Sequence, residues 1–152
     1  MMQQQGMGAL DDLYMEIILD HYKSPRNKTD LSHIDDDQAH ENPSCGDTVK
    51  LEMTLGDDGR IAEVCFDGHG CAISTASASL MTERLAGLTP EEARAFIEVF
   101  LMVLRGDEPP ERLEEWGDLA VLGGVVQFPM RVKCATLAWH AARTSLAGEN
   151  GT

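Results

Sequence analysis

The sequence predicts a mixed fold, a short antiparallel sheet packed by helices, and three observations carry that reading. Val49, Leu51, Met53 and Leu55 alternate with polar residues, so they line one face of a strand. Gly56-Asp57-Asp58-Gly59 supplies a turn, and Ile61, Val64 and Phe66 supply a second, less regular strand. Segments on both sides of this hairpin carry apolar residues at helical spacing. Two strands alone are marginal, so helices or a third strand must complete the sheet, and the stretch from Gln38 to Pro43 can supply that strand.

The elements follow in order. Residues 1–8 read as a loose tail, and a single domain is expected over 9–148. Leu10, Leu13, Tyr14, Ile17, Ile18 and His21 fall on one face of a first helix, which Pro25 ends. A polar stretch from Arg26 to Glu41, with the run Asp35, Asp36, Asp37, reads as a solvated loop. Gly68-His69-Gly70 is expected to break the second strand. The small residues after Cys71 suit a helix packed closely against a neighbour. Thr89-Pro90-Glu91-Glu92 is a helix start, with threonine as cap and proline at the first position. That helix carries Phe96, Val99, Phe100 and Val103 inward. Arg105 to Asp118 is acidic, and Gly123-Gly124 is expected to be a break. Pro129 opens a last helix with Val132, Ala135, Trp139, Ala142 and Leu146 on one stripe, expected to end at Gly148.

Composition narrows the function. The chain has 152 residues, with 26 acidic against 12 basic side chains and a net charge of −14. A polyanion is repelled by such a surface, so nucleic acid and anionic membranes are poor partners. No apolar run approaches the ~20 residues that span a bilayer. The N-terminus has neither a basic region nor an apolar core, so a cytoplasmic protein is expected. Four cysteines in such a chain point to metal binding or catalysis rather than to disulfides.

Those cysteines are Cys45, Cys65, Cys71 and Cys134, and none forms a C-x-x-C pair. Cys45 lies in Ser-Cys-Gly-Asp ahead of the first clear strand, Cys71 follows Gly-His-Gly at a helix start, and Cys134 lies in the first turns of the last helix. Helix N-termini favour thiolate, the form that binds metal and attacks sulfur. Asp47, two residues after Cys45, can add an oxygen to three sulfurs in a tetrahedral site for zinc or iron. Free cysteine is also a common small core residue, and spacing alone does not establish a shared site. Cys65, between Val64 and Phe66, is expected in the core. His69 reads as a fourth ligand or a loop residue, and His21 and His140 as packing or surface histidines.

Four ordered segments carry a resemblance. Ile18 to Asn27 (Ile-Leu-Asp-His-Tyr-Lys-Ser-Pro-Arg-Asn), Asn42 to Asp47 (Asn-Pro-Ser-Cys-Gly-Asp), Phe66 to Ser74 and Arg131 to Trp139 together resemble the IscU/NifU N-terminal family of iron–sulfur cluster assembly proteins. The likeness runs from about Leu10 to Leu146. Lys133, where the IscU branch has histidine, and a longer gap between Cys71 and Cys134 are similar to the SufU branch, with the extra length near 95–118. The chaperone-binding stretch of IscU proteins is replaced by Gln127-Phe-Pro-Met-Arg131.

The resemblance implies an α+β fold, a three-stranded antiparallel sheet packed by about five helices. It implies that Cys45, Asp47, Cys71 and Cys134 bind zinc, and that the protein accepts persulfide sulfur from a SufS-like cysteine desulfurase. Cys45, in a glycine-flanked loop, is the expected acceptor. Two alternatives stand beside this: a scaffold building a transient [2Fe–2S] cluster, or holding iron, on the same residues, and a protein-binding module with structural zinc. Downstream cluster assembly or acceptor proteins complete the implied partners.

Overall fold

The computed structural model describes residues 15–42 and 46–151. The expected tail and the first turn of the first helix lie outside them. Helix α1, residues 15–23, buries Ile18 and His21 and turns away at Pro25. Residues 27–29 then run beside Phe66, whose N–H donates to the Asn27 carbonyl while Thr29 N–H donates to the Phe66 carbonyl. The polar stretch is thus anchored rather than free: Leu31 is buried, and its N–H donates to Asp67.

The three strands are β1 (His40–Asn42), β2 (Asp47–Leu55) and β3 (Ile61–His69), antiparallel in the order β1-β2-β3. The third strand expected from Gln38 to Pro43 is β1. Along β2 the odd positions face the helices, with Asp47 and Val49 buried and Leu51 and Met53 packed against the core. Irregularity in β3 has a definite cause. Thr54 pairs with Glu63 but Leu55 pairs with Ile61, so Ala62 is an extra residue. That bulge puts Ile61 and Val64, three apart, on the same buried side as Phe66.

Gly68 does not break β3, which continues to His69. At φ 148°, a Cβ on Gly68 would fall 2.1 Å from the Thr48 carbonyl oxygen, so glycine is what lets the strands approach.

Helix α2 (Ala72–Leu85) packs on β3, and α4 (Pro129–Gly151) packs on β2, β1 and α2. Serine and alanine at 76–79 leave room for α4, and the Trp139 indole N–H donates to Ser77 Oγ at 2.9 Å, which in turn donates to the Ala135 carbonyl. Helix α3 (Pro90–Arg105) starts as expected, with Thr89 and Glu92 capping each other's backbone N–H, and ends at left-handed Gly106. Its Phe96 and Phe100 stack on Trp139 at centroid distances of 5.9 and 3.8 Å.

Between α3 and α4 runs a 3-10 segment, Pro110–Val125. Gly123-Gly124 is not a break; the interruption is at Trp116 and Gly117. Leu113, Leu119, Leu122 and Val125 are buried, at the three-residue spacing of that helix type. Helix α4 likewise continues past Gly148 to Gly151. Among the described residues no helix is long and apolar enough to cross a membrane.

Candidate metal centre

The alternation that buries Val49 also turns Asp47 inward. Asp47 opens β2 opposite Asn42, and it is 4% exposed. Gly46, at φ 76°, donates its N–H to the Asn42 carbonyl at 2.8 Å and closes the β1–β2 ladder just ahead of the carboxylate.

Cys71 arrives from the end of β3. It is the N-cap of α2, with extended backbone, and its sulfur accepts the Ser74 N–H at 3.4 Å. Its own N–H donates to Asp47 Oδ1 at 3.2 Å, and its thiol lies 3.7 Å from Oδ2. Cys134 is delivered by α4, where that helix crosses the sheet, and is 8% exposed.

The ligand atoms of Asp47, Cys71 and Cys134 therefore lie within 4.8 Å of one another. Tetrahedral zinc ligands at about 2.0–2.3 Å from an ion stand roughly 3–4 Å apart, so this donor set fits one ion after small side-chain shifts. Two soft sulfurs and one hard oxygen suit zinc or iron rather than calcium or magnesium. The set is asymmetric in access, because Cys71 is exposed while Asp47 and Cys134 are buried.

Cys45, the expected fourth ligand and sulfur acceptor, lies outside the described residues; the sequence places it two positions before Asp47. Lys133 is exposed beside Cys134. His69 ends β3 in an exposed position and is not in the cluster. His21 is a packing residue, bonded to Ser79 Oγ, while His33 pairs with Glu52 on the surface. His140 lies beside Arg143 on the outer side of α4.

Cys65 departs from its expected core position. Val64 and Phe66 point to the helices, so the residue between them points to the opposite face, where Cys65 is half-buried across from Glu52. Burial pushes its thiol pKa up, and the carboxylates of Glu63 and Glu52 push it further. The Cys71–Asp47 backbone contact had no sequence signal beyond Gly-His-Gly, because it joins residues 24 apart.

Comparison with known proteins adds a second line. The profile of the family described as NifU-like N terminal domain matches residues 13–144. The zinc-dependent sulfurtransferase SufU of Bacillus subtilis is 44% identical over 146 residues, covering 93% of this chain and 95% of that one. The iron–sulfur cluster assembly scaffold protein IscU of Streptococcus pyogenes is 39% identical over 141 residues, 93% of this chain and 87% of that one. Among solved structures, a candidate scaffold protein for the SUF system from Fervidobacterium islandicum superposes with a TM-score of 0.70 at 34% identity, over 86% of this chain and 94% of that one.

Proposed function

The chain belongs to the NifU-like N-terminal domain family, and from that premise we propose that it accepts persulfide sulfur from a cysteine desulfurase during iron–sulfur cluster assembly, at a zinc centre of Cys45, Asp47, Cys71 and Cys134. The observation that carries this reading is the meeting of Asp47, Cys71 and Cys134 from three separate elements within 4.8 Å. The likeness to a zinc-dependent sulfurtransferase along nearly the whole chain supports it.

When bound, zinc keeps its cysteine ligands ionised near neutral pH. The chain supplies the rest. Asp47 and Cys134 are buried and hold position, while Cys71 is the exposed edge over which a partner approaches. Cys45 precedes a glycine with left-handed backbone, and its thiolate is our acceptor. It attacks the outer sulfur of the desulfurase persulfide: a new S–S bond forms on Cys45, the old one breaks, and the desulfurase cysteine leaves as thiolate. Asp47 is the harder donor of the set, which favours release over permanent storage. Lys133 offsets part of the negative charge of three thiolates and a carboxylate. A cytoplasmic location, where thiols stay reduced, suits cysteines such as Cys65 and Cys71 that form no disulfide. The donor is a SufS-like enzyme, and cluster assembly or acceptor proteins act downstream. The expected extra length near 95–118 takes in most of α3 and the first half of the 3-10 segment, and we assign it to the SufU pattern.

A second reading, assembly of a [2Fe–2S] cluster on the same residues, draws on the likeness to IscU scaffolds. One experiment separates them from each other and from a structural zinc module. Alanine release by the desulfurase is measured with this protein absent, metal-free and zinc-reloaded. Stimulation only by the zinc-loaded form is expected. An unchanged rate removes the sulfur-acceptor reading, and a stable visible chromophore after anaerobic reconstitution with iron and sulfide would favour the scaffold.

A further inference from the structure

We infer that Gly70 is a positioning residue of the metal centre: the empty side-chain position there seats the Asp47 carboxylate on the Cys71 backbone amide and leaves one carboxylate oxygen facing the Cys71 sulfur. The inference rests on the metal site proposed above.

Two glycines flank His69, and they are glycine for different reasons. Gly68 sits at φ 148° with a backbone oxygen 2.1 Å from where its Cβ would be, so it serves the pairing of β2 and β3. Gly70 is not among the residues with positive φ, so no left-handed backbone calls for glycine there. What it lacks is space. A Cβ at 70 would stand 2.7 Å from Ser74 Oγ, 3.0 Å from Ser74 Cβ and 3.4 Å from Asp47 Cγ. It would therefore intrude between the two things that hold Cys71. One is the first turn of α2, where Ser74 N–H donates to the Cys71 sulfur. The other is the Asp47 carboxylate.

The consequence is a divided carboxylate. Oδ1 accepts the Cys71 N–H at 3.2 Å, and Oδ2 lies 3.7 Å from the Cys71 sulfur. With Oδ1 engaged, Oδ2 is the oxygen left for an ion. When that oxygen lets go, the carboxylate keeps its amide hydrogen bond, so a buried charge is not left without a partner. Ligand exchange at this position then needs no movement of β2 or α2.

The test titrates cobalt(II), then zinc in competition, into wild type, G70A, S74A and the double variant G70A/S74A. Wild type should show thiolate-to-cobalt charge-transfer bands and the ligand-field bands of a four-coordinate ion. G70A should bind zinc about 10–100-fold more weakly, with shifted ligand-field bands, as when a group supporting a metal ligand is lost. The melting temperature of its metal-free form should stay near that of wild type. S74A should match wild type, and G70A/S74A should recover part of the loss, because the contact at 2.7 Å is gone and those at 3.0 and 3.4 Å remain. Wild-type affinity and spectrum in G70A would overturn the inference, as would a loss matched by a lower metal-free melting temperature. If G70A does not fold, the double variant is compared with S74A: weaker binding supports the seat, and equal binding overturns it. A wild type without charge-transfer bands would instead remove the metal centre on which the inference stands.

Discussion

His21 Nδ1 and Ser79 Oγ stand 2.7 Å apart in the buried contact between α1 and α2. Ser79 Oγ also accepts the Arg26 N–H at 2.8 Å, so one hydroxyl on α2 joins α1 to the turn that follows it. Burial first, and then the Arg26 charge, holds the His21 pKa below its ordinary 6.5. The unfolded chain therefore binds the proton more readily than the folded one. His21 stabilises the fold above about pH 6.5 and loses that contribution as pH falls toward its lowered value, by at most about 1.4 kcal/mol per pH unit. We expect a lower melting temperature at pH 5.5 than at pH 7.5, with a smaller difference in His21→Gln. His40 and His140, also lowered by burial, keep part of the dependence. An identical pH difference in the variant would remove His21 from the effect.

Gly68→Ala should be among the costliest single changes to the sheet. The added carbon would meet the Thr48 carbonyl oxygen at 2.1 Å, where β2 and β3 are held together by the pairing of Thr48 with His69 and of Val49 with Gly68. Gly59 is the control, because its φ is also positive, at 80°, but nothing lies within 4 Å of its Cβ position. Gly59→Ala should cost about 1–2 kcal/mol from backbone alone, and Gly68→Ala about 3 kcal/mol or more. Urea unfolding of both variants checks the order, and equal costs would contradict the close approach of β2 and β3.

What could be read from the sequence was what is local. Thr89 and Glu92 announce a capping box because both partners lie within one turn. Val49, Leu51 and Met53 announce their strand because the period of two is a backbone property. The bulge at Ala62 could not be read, since an extra residue exists only relative to the strand it faces. The apolar neighbours of Cys65 suggest a core position, whereas in a strand the neighbours define the opposite face. The 3-10 segment did leave a signal: Leu113, Trp116, Leu119, Leu122 and Val125 recur every three residues, a period hidden among acids and glycines. At the site, Asp47 inherits its inward direction from the same alternation as Val49. That Cys71 and Cys134 meet it depends on how α2 and α4 cross the sheet, which no spacing encodes.

Metal removal should be felt in the site before the core. Asp47, Cys71 and Cys134 belong to three elements, so an ion between them ties β2, the head of α2 and α4 together. The aromatic stack of Phe96, Phe100 and Trp139 does not depend on that ion. Zinc at about 100 times its dissociation constant adds about 2.7 kcal/mol, or roughly 5–10 °C of melting temperature for a chain of this size. Chelation should lower the transition by that amount. It should also speed hydrogen exchange at the Gly46 and Cys71 amides while leaving the middle of α4 protected. Equal melting at confirmed metal loss would count against a shared site.

The thiols of Cys45 and Cys65 should separate cleanly in sulfur transfer. Cys65 lies on the outer face of β3, half-buried, with its thiol kept protonated by burial and by the carboxylates of Glu63 and Glu52. A protonated thiol is a poor nucleophile, and two nearby negative charges repel an incoming persulfide anion. Cys65→Ser should therefore keep sulfur acceptance. Because the position faces Glu52 and not the helices, the change should cost no more than about 0.5–1 kcal/mol. Cys45, next to Gly46 and two residues from Asp47, is the acceptor in the proposed reaction. Cys45→Ser should carry no transferred sulfur, because a serine hydroxyl stays protonated at neutral pH and forms no persulfide. Each variant is incubated with desulfurase and cysteine, and the intact mass is read for one added sulfur atom. Loss of that sulfur in folded, metal-loaded Cys65→Ser, or its retention in Cys45→Ser, would move the acceptor to another thiol. Cys71, exposed at the head of α2, would then be the first to test.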